Sequence, residues 1–161
     1  GAVVLDQALA VNGFLTNEIA PGKKQSLREL VKKFLLWAEQ CEDKTLAGHN
    51  PSFDRDFLMA SIRRTGFVWT FAYRTIDLHT LCYAHYFSRG LLPPRSKGKT
   101  AVVSNTVFVY VGLPREPDPH HGLMGAKMEA EAFSRLLLGK GLLEEFSIYK
   151  LPDYLLKMQI S

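Results

Sequence analysis

Cysteine is nearly absent from this chain. There are two in 161 residues, Cys41 and Cys82, and neither belongs to a Cys-x-x-Cys pair. That excludes a disulfide framework and a cysteine-based zinc site, and it fits reduced thiols in a cytoplasmic protein. Long apolar runs are lacking too: none approaches the ~20 residues that a membrane span needs. No basic stretch precedes an apolar core at the N-terminus, so no secretory signal is expected. There is no internal repeat and no low-complexity segment. What remains is an ordinary globular composition, 47% hydrophobic and 22% charged. Residues 1–161 are long enough for one domain with a real core.

The charge is modestly unbalanced, with 20 Lys and Arg against 16 Asp and Glu, a formal net charge of +4. That excess suits a polyanionic partner such as nucleic acid, although solubility alone can account for it. Positive charge gathers at Arg95-Ser96-Lys97-Gly98-Lys99, beside Pro93-Pro94. Arg95, Lys97 and Lys99 are candidates for phosphate contact; the competing reading is a solvated, mobile loop.

Periodicity places the elements. Gln25 to Gln40 carries Leu27, Leu30, Val31, Phe34, Leu35 and Ala38 on one helical face. Ser26, with Glu29 three residues later, suits a capping box. Thr45 to Gly48 reads as a strand ending at His49-Asn50, where Pro51 breaks the chain. Ser52 is expected to cap a helix from Phe53 to about Arg64, closed by Gly66. Phe67 to Ile76 is aromatic and β-branched and reads as a strand. Asp77 at its end can cap a helix from Leu78 to about Ser88. Gly90 to Thr100 reads as loop, and Ser104 to Val111 as a short helix stopped by Gly112 and Pro114. Arg115 to Pro119 reads as a connector. Gly122 to Leu138 forms a strong helix ending at Gly139, and Leu142 to Gln159 gives two short helical pieces around Pro152.

Two segments carry chemistry. The first, Ala47 to Leu58, contains His49-Asn50-x-x-Phe53-Asp54-x-x-Phe57-Leu58. The second is His120-His121-Gly122-Leu123-Met124-Gly125-Ala126. Together they resemble the last two motifs of the DEDDh 3'-5' exonucleases, which include ribonuclease T, oligoribonuclease and the proofreading subunit of bacterial DNA polymerase III. The family's second motif runs His-Asn-x-x-Phe-Asp-x-x-Phe-Leu, and every element is present. Its third motif is His-x-Ala-Leu-x-Asp-Ala. His120, Leu123 and Ala126 match it, with Gly125 at the aspartate position. The family's first motif, Asp-x-Glu, does not occur.

The resemblance covers residues from about 8 to 155 and implies an α/β, ribonuclease-H-like exonuclease fold, truncated before its first three strands. On that reading Ala8 to Phe14 follows the third strand, and Val3-Val4-Leu5 is a remnant strand or a linker. It implies Asp54 as a metal carboxylate and His120 as the general base. His49, Asn50 and Phe53 would line the nucleic-acid site. Mg2+ or Mn2+ would be the cofactor. Single-stranded DNA or RNA 3' ends would be the substrate, and a polymerase or another protein subunit a possible partner.

The chemistry explains the motif. Terminal phosphodiester cleavage needs an activated water and charge stabilisation at the leaving oxygen, and two divalent ions held by carboxylates supply both. A histidine titrating near neutrality takes the proton. Asp54 alone could simply favour a helix N-terminus, and His120 alone could be a surface residue; their neighbours at family spacing argue for descent. Adjacent histidines without a cysteine pair do not suit zinc. Gly125 supplies no ligand and costs about 1 kcal/mol relative to alanine within a helix. Without metal, however, its loss of charge would relieve carboxylate repulsion. Glu129, a turn further on, is too far along the axis to substitute well. Phe53 and Phe57, four apart, are expected in the core, with base stacking as the alternative; Asp56 is expected to face solvent. The isolated chain is expected to be inactive, either as an incomplete exonuclease or as a non-catalytic module that binds nucleic acid or protein.

Overall fold

The computed structural model describes Leu9, Gly13, residues 15–19 and residues 24–156. The expectations for Val3-Val4-Leu5 and for most of Ala8 to Phe14 fall outside these. The helices are α1 (Leu27–Ala38), α2 (Pro51–Arg64), α3 (Leu78–Ser88), α4 (Ser104–Tyr110), α5 (Gly122–Leu138) and α6 (Asp153–Leu156). The strands are β1 (Leu46–Gly48), β2 (Thr75–Asp77), β3 (Arg95–Ser96) and β4 (Lys99–Thr100), with β1 paired to β2 and β3 to β4. The fold is mixed α/β, and helix predominates. Two compact units share the chain: residues 1–46 with 51–76, and residues 47–50 with 77–161.

In the first unit α1 begins with the expected capping box. The Ser26 side chain accepts from the Glu29 N–H at 3.2 Å, and Glu29 Oε2 accepts from the Ser26 N–H at 3.0 Å. Val31, Ala38, Ile62 and Phe71 are buried together, with Phe34, Leu35, Leu58, Phe67 and Trp69 packed around them. Phe71 stacks on Phe34 at 5.7 Å and lies 5.1 Å from Trp69, centroid to centroid. That packing corrects the strand expected over Phe67 to Ile76. Its aromatic residues fill a core against helices, and only Thr75–Asp77 is strand.

Two further corrections concern α2. Pro51 is its first residue rather than a break before it, since a proline at the first helical position loses no hydrogen bond and has a suitable φ. Phe53 and Phe57 are not core. Each is 69% exposed, because the helix instead buries Pro51, Ser61 and Ile62. Asp56 faces solvent as expected, paired with Arg55 at 2.8 Å.

The second unit packs α3, α4 and α5 around Leu78, Cys82, Val107, Phe108, Met128, Ala132 and Leu136, with Phe146 and Leu155 of the C-terminal segment added. A fully buried ion pair fastens that segment. Arg135 Nε donates to Glu131 Oε1 at 2.7 Å, while its other nitrogens donate to the carbonyls of Val111, Phe146 and Tyr149 at 3.0–3.1 Å. Glu131 Oε2 accepts from the N–H groups of Leu142 and Leu143 at 2.8 and 2.9 Å. Gly139 ends α5 in the left-handed conformation, φ 61°, and a Cβ there would come 2.7 Å from the Leu155 carbonyl oxygen.

Candidate functional site

The end of β1 is held by side chains of the second unit. Asn50 takes a left-handed conformation, φ 58°, which asparagine tolerates better than most residues. Its N–H donates to Asp77 Oδ1 at 3.0 Å. The same oxygen accepts from the His79 N–H at 3.1 Å and caps α3, as expected. Asp77 Oδ2 accepts from the Thr80 hydroxyl at 2.7 Å. Burial by itself would raise the Asp77 pKa. The hydrogen bonds from Thr80, Asn50 and His79 outweigh it and hold the carboxyl below its ordinary value.

His49 and His79 meet edge to face, 5.9 Å apart. His49 Nε2 is 2.9 Å from the Val102 carbonyl oxygen, where it donates. His79 Nε2 lies 3.1 Å from the Thr100 hydroxyl. Of the two rings, His49 thus meets a backbone carbonyl and His79 a side-chain hydroxyl, and the motif's Asn50 sits in the turn after β1.

Thr100 closes the basic segment, which is a hairpin rather than the expected loop. Arg95 pairs with Thr100 and Ser96 with Lys99, antiparallel. Lys97 and Gly98 form the turn with φ of 49° and 77°, as a two-residue hairpin connection requires. Arg95, Lys97 and Lys99 are all exposed. They concentrate positive charge on one small projection, a geometry suited to phosphate oxygens.

Asp54 and Phe53 belong to the first unit, both exposed in the first turn of α2. Beside them Arg55 lies over the Tyr73 ring at 4.7 Å and donates to the Tyr73 carbonyl at 3.0 Å. The same unit carries an apolar groove of about 280 Å³, lined by Leu27, Leu30, Val31, Phe34, Phe57, Leu58 and Ser61.

His120 belongs to the second unit and precedes α5, half exposed. Its Nδ1 lies 2.7 Å from Glu116 Oε1. Glu116 was not among the residues singled out from the sequence, because a glutamate in a connector carries no motif. Its backbone is fixed by α4, where Asn105 Oδ1 accepts from the Glu116 N–H at 2.8 Å. Position 125 faces this pair. A Cβ on Gly125 would lie 3.0 Å from Glu116 Oε1 and 3.4 Å from His120 Cε1.

The donor set does not fit the divalent-ion pair that the resemblance implies. Among the described residues no three His, Cys, Asp or Glu side chains are grouped to hold a metal ion. Nor, among them, is any helix long and apolar enough to cross a membrane. No protein-family model, curated protein or solved structure matches the chain.

Proposed function

We propose that this chain is a domain of DEDDh 3'-5' exonuclease lineage, with a ribonuclease-H-like ancestry, whose activity on single-stranded nucleic-acid ends requires an Asp-x-Glu strand supplied from elsewhere. In that reading Asp54 descends from the second-motif carboxylate and His120 from the general base. The observation that carries it is the relation of position 125 to His120. A side chain at 125 would share the histidine's immediate surroundings, as the aspartate and histidine of the third motif must. The exposed Phe53 beside Asp54 supports it further, since an exposed aromatic ring can stack on a base.

The second reading is a non-catalytic module of the same lineage. It is favoured by the missing ligand group and by the apolar groove, which suits a protein partner better than a nucleic acid. On either reading these 161 residues alone do not cleave, because one motif carboxylate binds Mg2+ weakly against its hydration.

The test uses single strands labelled at the 5' or the 3' end, with Mg2+, Mn2+ or EDTA. The chain as it stands should leave both intact. A version given an Asp-x-Glu strand together with Gly125→Asp should trim from the 3' end in an EDTA-sensitive way. Asp54→Ala should abolish that trimming, and His120→Ala should slow it roughly 10²–10⁴-fold. A restored version that never trims would refute the enzymatic lineage. EDTA-sensitive trimming by the unmodified chain, lost in Asp54→Ala, would mean that another carboxylate completes the site.

A further inference from the structure

The third motif lost its aspartate, yet a carboxylate still stands beside His120. Glu116 Oε1 is buried and has no hydrogen-bond partner among the described residues. The distance to His120 Nδ1, 2.7 Å, is nevertheless that of an ion pair. A carboxylate oxygen and a ring-nitrogen lone pair repel at that separation, and a proton on Nδ1, turned toward the oxygen by a small rotation of the ring, relieves the contact. A buried carboxylate oxygen also needs a donor, and leaving it unpaired is costly.

We infer that Glu116 is the positioning residue of His120 and that Gly125 makes room for it. This rests on the reading of His120 as the lineage's base. The Glu116 carboxylate accepts the Nδ1 proton, which fixes the imidazole tautomer and leaves the Nε2 lone pair as the basic site. A carboxylate that orients a histidine through one nitrogen commonly sets the other for proton transfer or ligation. Glu116 touches no reacting atom; it acts through the ring.

Gly125 follows from the same geometry. Any β-carbon at 125 would press on the Glu116 oxygen at 3.0 Å, closer than side chains ordinarily approach. An aspartate there would also set two carboxylates against each other. The two arrangements compete for one space: a side chain on α5 at 125 requires the Glu116 carboxylate, the far end of a flexible side chain, to give way. The chain keeps the carboxylate at 116. Glycine at 125, unfavourable for the helix, is accounted for by the space the Glu116–His120 pair needs.

The test reads the tautomer directly. The full chain is labelled with ¹⁵N in its histidine rings, and long-range ¹H–¹⁵N spectra are recorded above the imidazole titration range. In the unmodified protein His120 should carry its proton on Nδ1. Glu116→Ala should return it to the Nε2–H form that a solvated imidazole prefers. Glu116→Gln, which keeps an acceptor but loses the charge, should lower the Nδ1–H to Nε2–H ratio about tenfold. Gly125→Ala should lower it as well, by displacing the carboxylate.

An Nε2–H His120 in the unmodified protein would overturn the inference, and so would an unchanged ratio in Glu116→Ala. The first measurement needs no variant, so a failure of folding in any of them leaves the inference decidable. Strand trimming by the restored version is a separate readout. Its absence alongside an Nδ1–H tautomer removes the exonuclease reading and leaves the Glu116–His120 pair standing.

Discussion

Removing Arg135 should be among the most damaging single changes this chain can undergo. Arg135 is 1% exposed and Glu131 is fully buried. Arg135→Met keeps the length and apolar character of the stem but deletes the guanidinium. Glu131 then keeps a buried charge with only the Leu142 and Leu143 N–H groups opposite it. The carbonyls of Val111, Phe146 and Tyr149 lose a donor at the same time. Breaking a buried ion pair from one side costs about 3–5 kcal/mol. For a domain of this size 3 kcal/mol lowers Tm by on the order of 6–12 °C. Glu131→Gln should also destabilise, by about 2–3 kcal/mol. The amide has one acceptor oxygen, whereas Glu131 faces donors on both sides, so either orientation sets its NH2 group against a donor.

The assay is urea unfolding followed by far-UV circular dichroism and by tryptophan fluorescence. The two tryptophans, Trp37 and Trp69, both lie in the first unit, so fluorescence reports that unit and dichroism reports both. Arg135→Met should shift the dichroism transition to lower urea. In a double-mutant cycle, Arg135→Met should cost at least about 1.5 kcal/mol less when Glu131 is already Gln. A loss under ~1 kcal/mol for Arg135→Met, or simple additivity of the two changes, would refute the argument. The pH dependence has a fixed sign. Burial would raise the Glu131 pKa, but the Leu143 N–H, Arg135 and the Leu142 N–H together hold it below its ordinary value. A depressed carboxyl stabilises the fold above its unfolded pKa, near 4.3. That contribution is lost as pH falls through the folded value, and Glu131→Gln should flatten the stability profile in that acid range.

Two other outcomes are expected. Asp77→Ala removes the α3 cap and the acceptor for the Asn50 N–H together, so it should cost about 1–2 kcal/mol. Because the Asp77 carboxyl sits below its ordinary value, this stability too should fade as pH falls below ~4, and a variant as stable as the parent at neutral pH would refute the role. Cys82 is fully buried, and burial pushes its thiol up to about 12, whereas Cys41 is partly exposed. A thiol reagent at neutral pH should therefore titrate one cysteine quickly in the folded protein and the second only on unfolding; fast labelling of both would contradict the packing of α3.

The features legible in the sequence are those encoded by neighbours along the chain. The Ser26–Glu29 box, the Asp77 cap, the limits of α5 and its Gly139 stop each depend on residues within a turn or two, and each stands where expected. The misread features are those decided at a distance. Phe67, Trp69 and Phe71 have strand-like composition, but α1 and α2 lie within reach and the rings serve as core. Phe53 and Phe57 have helix-core spacing, but α2 turns its Ser61–Ile62 side inward. The Lys97-Gly98 turn was present in the sequence and could have been recognised as a hairpin signal, since it needs only a glycine and a residue that accepts a positive φ.

Gly125 shows why the candidate site was only half legible. Compared with a motif, its glycine is a loss, and the sequence offers helix propensity and charge relief as the terms to weigh. Neither term points to residue 116, which lies nine positions upstream in a connector. What brings Glu116 to His120 is the anchoring of its backbone by Asn105 on α4, a tertiary hydrogen bond that no local pattern announces. Once that bond is in place, the β-carbon at 125 has nowhere to go without moving the carboxylate. The glycine at 125 and the glutamate at 116 are then one feature: each is unfavourable or unremarkable alone, and together they keep an acceptor on the Nδ1 side of His120. If that is so, replacing Gly125 should disturb the histidine before it disturbs the helix. A Gly125→Ala variant should lose tautomer preference while gaining up to about 1 kcal/mol of helix propensity, offset by whatever the displaced carboxylate costs.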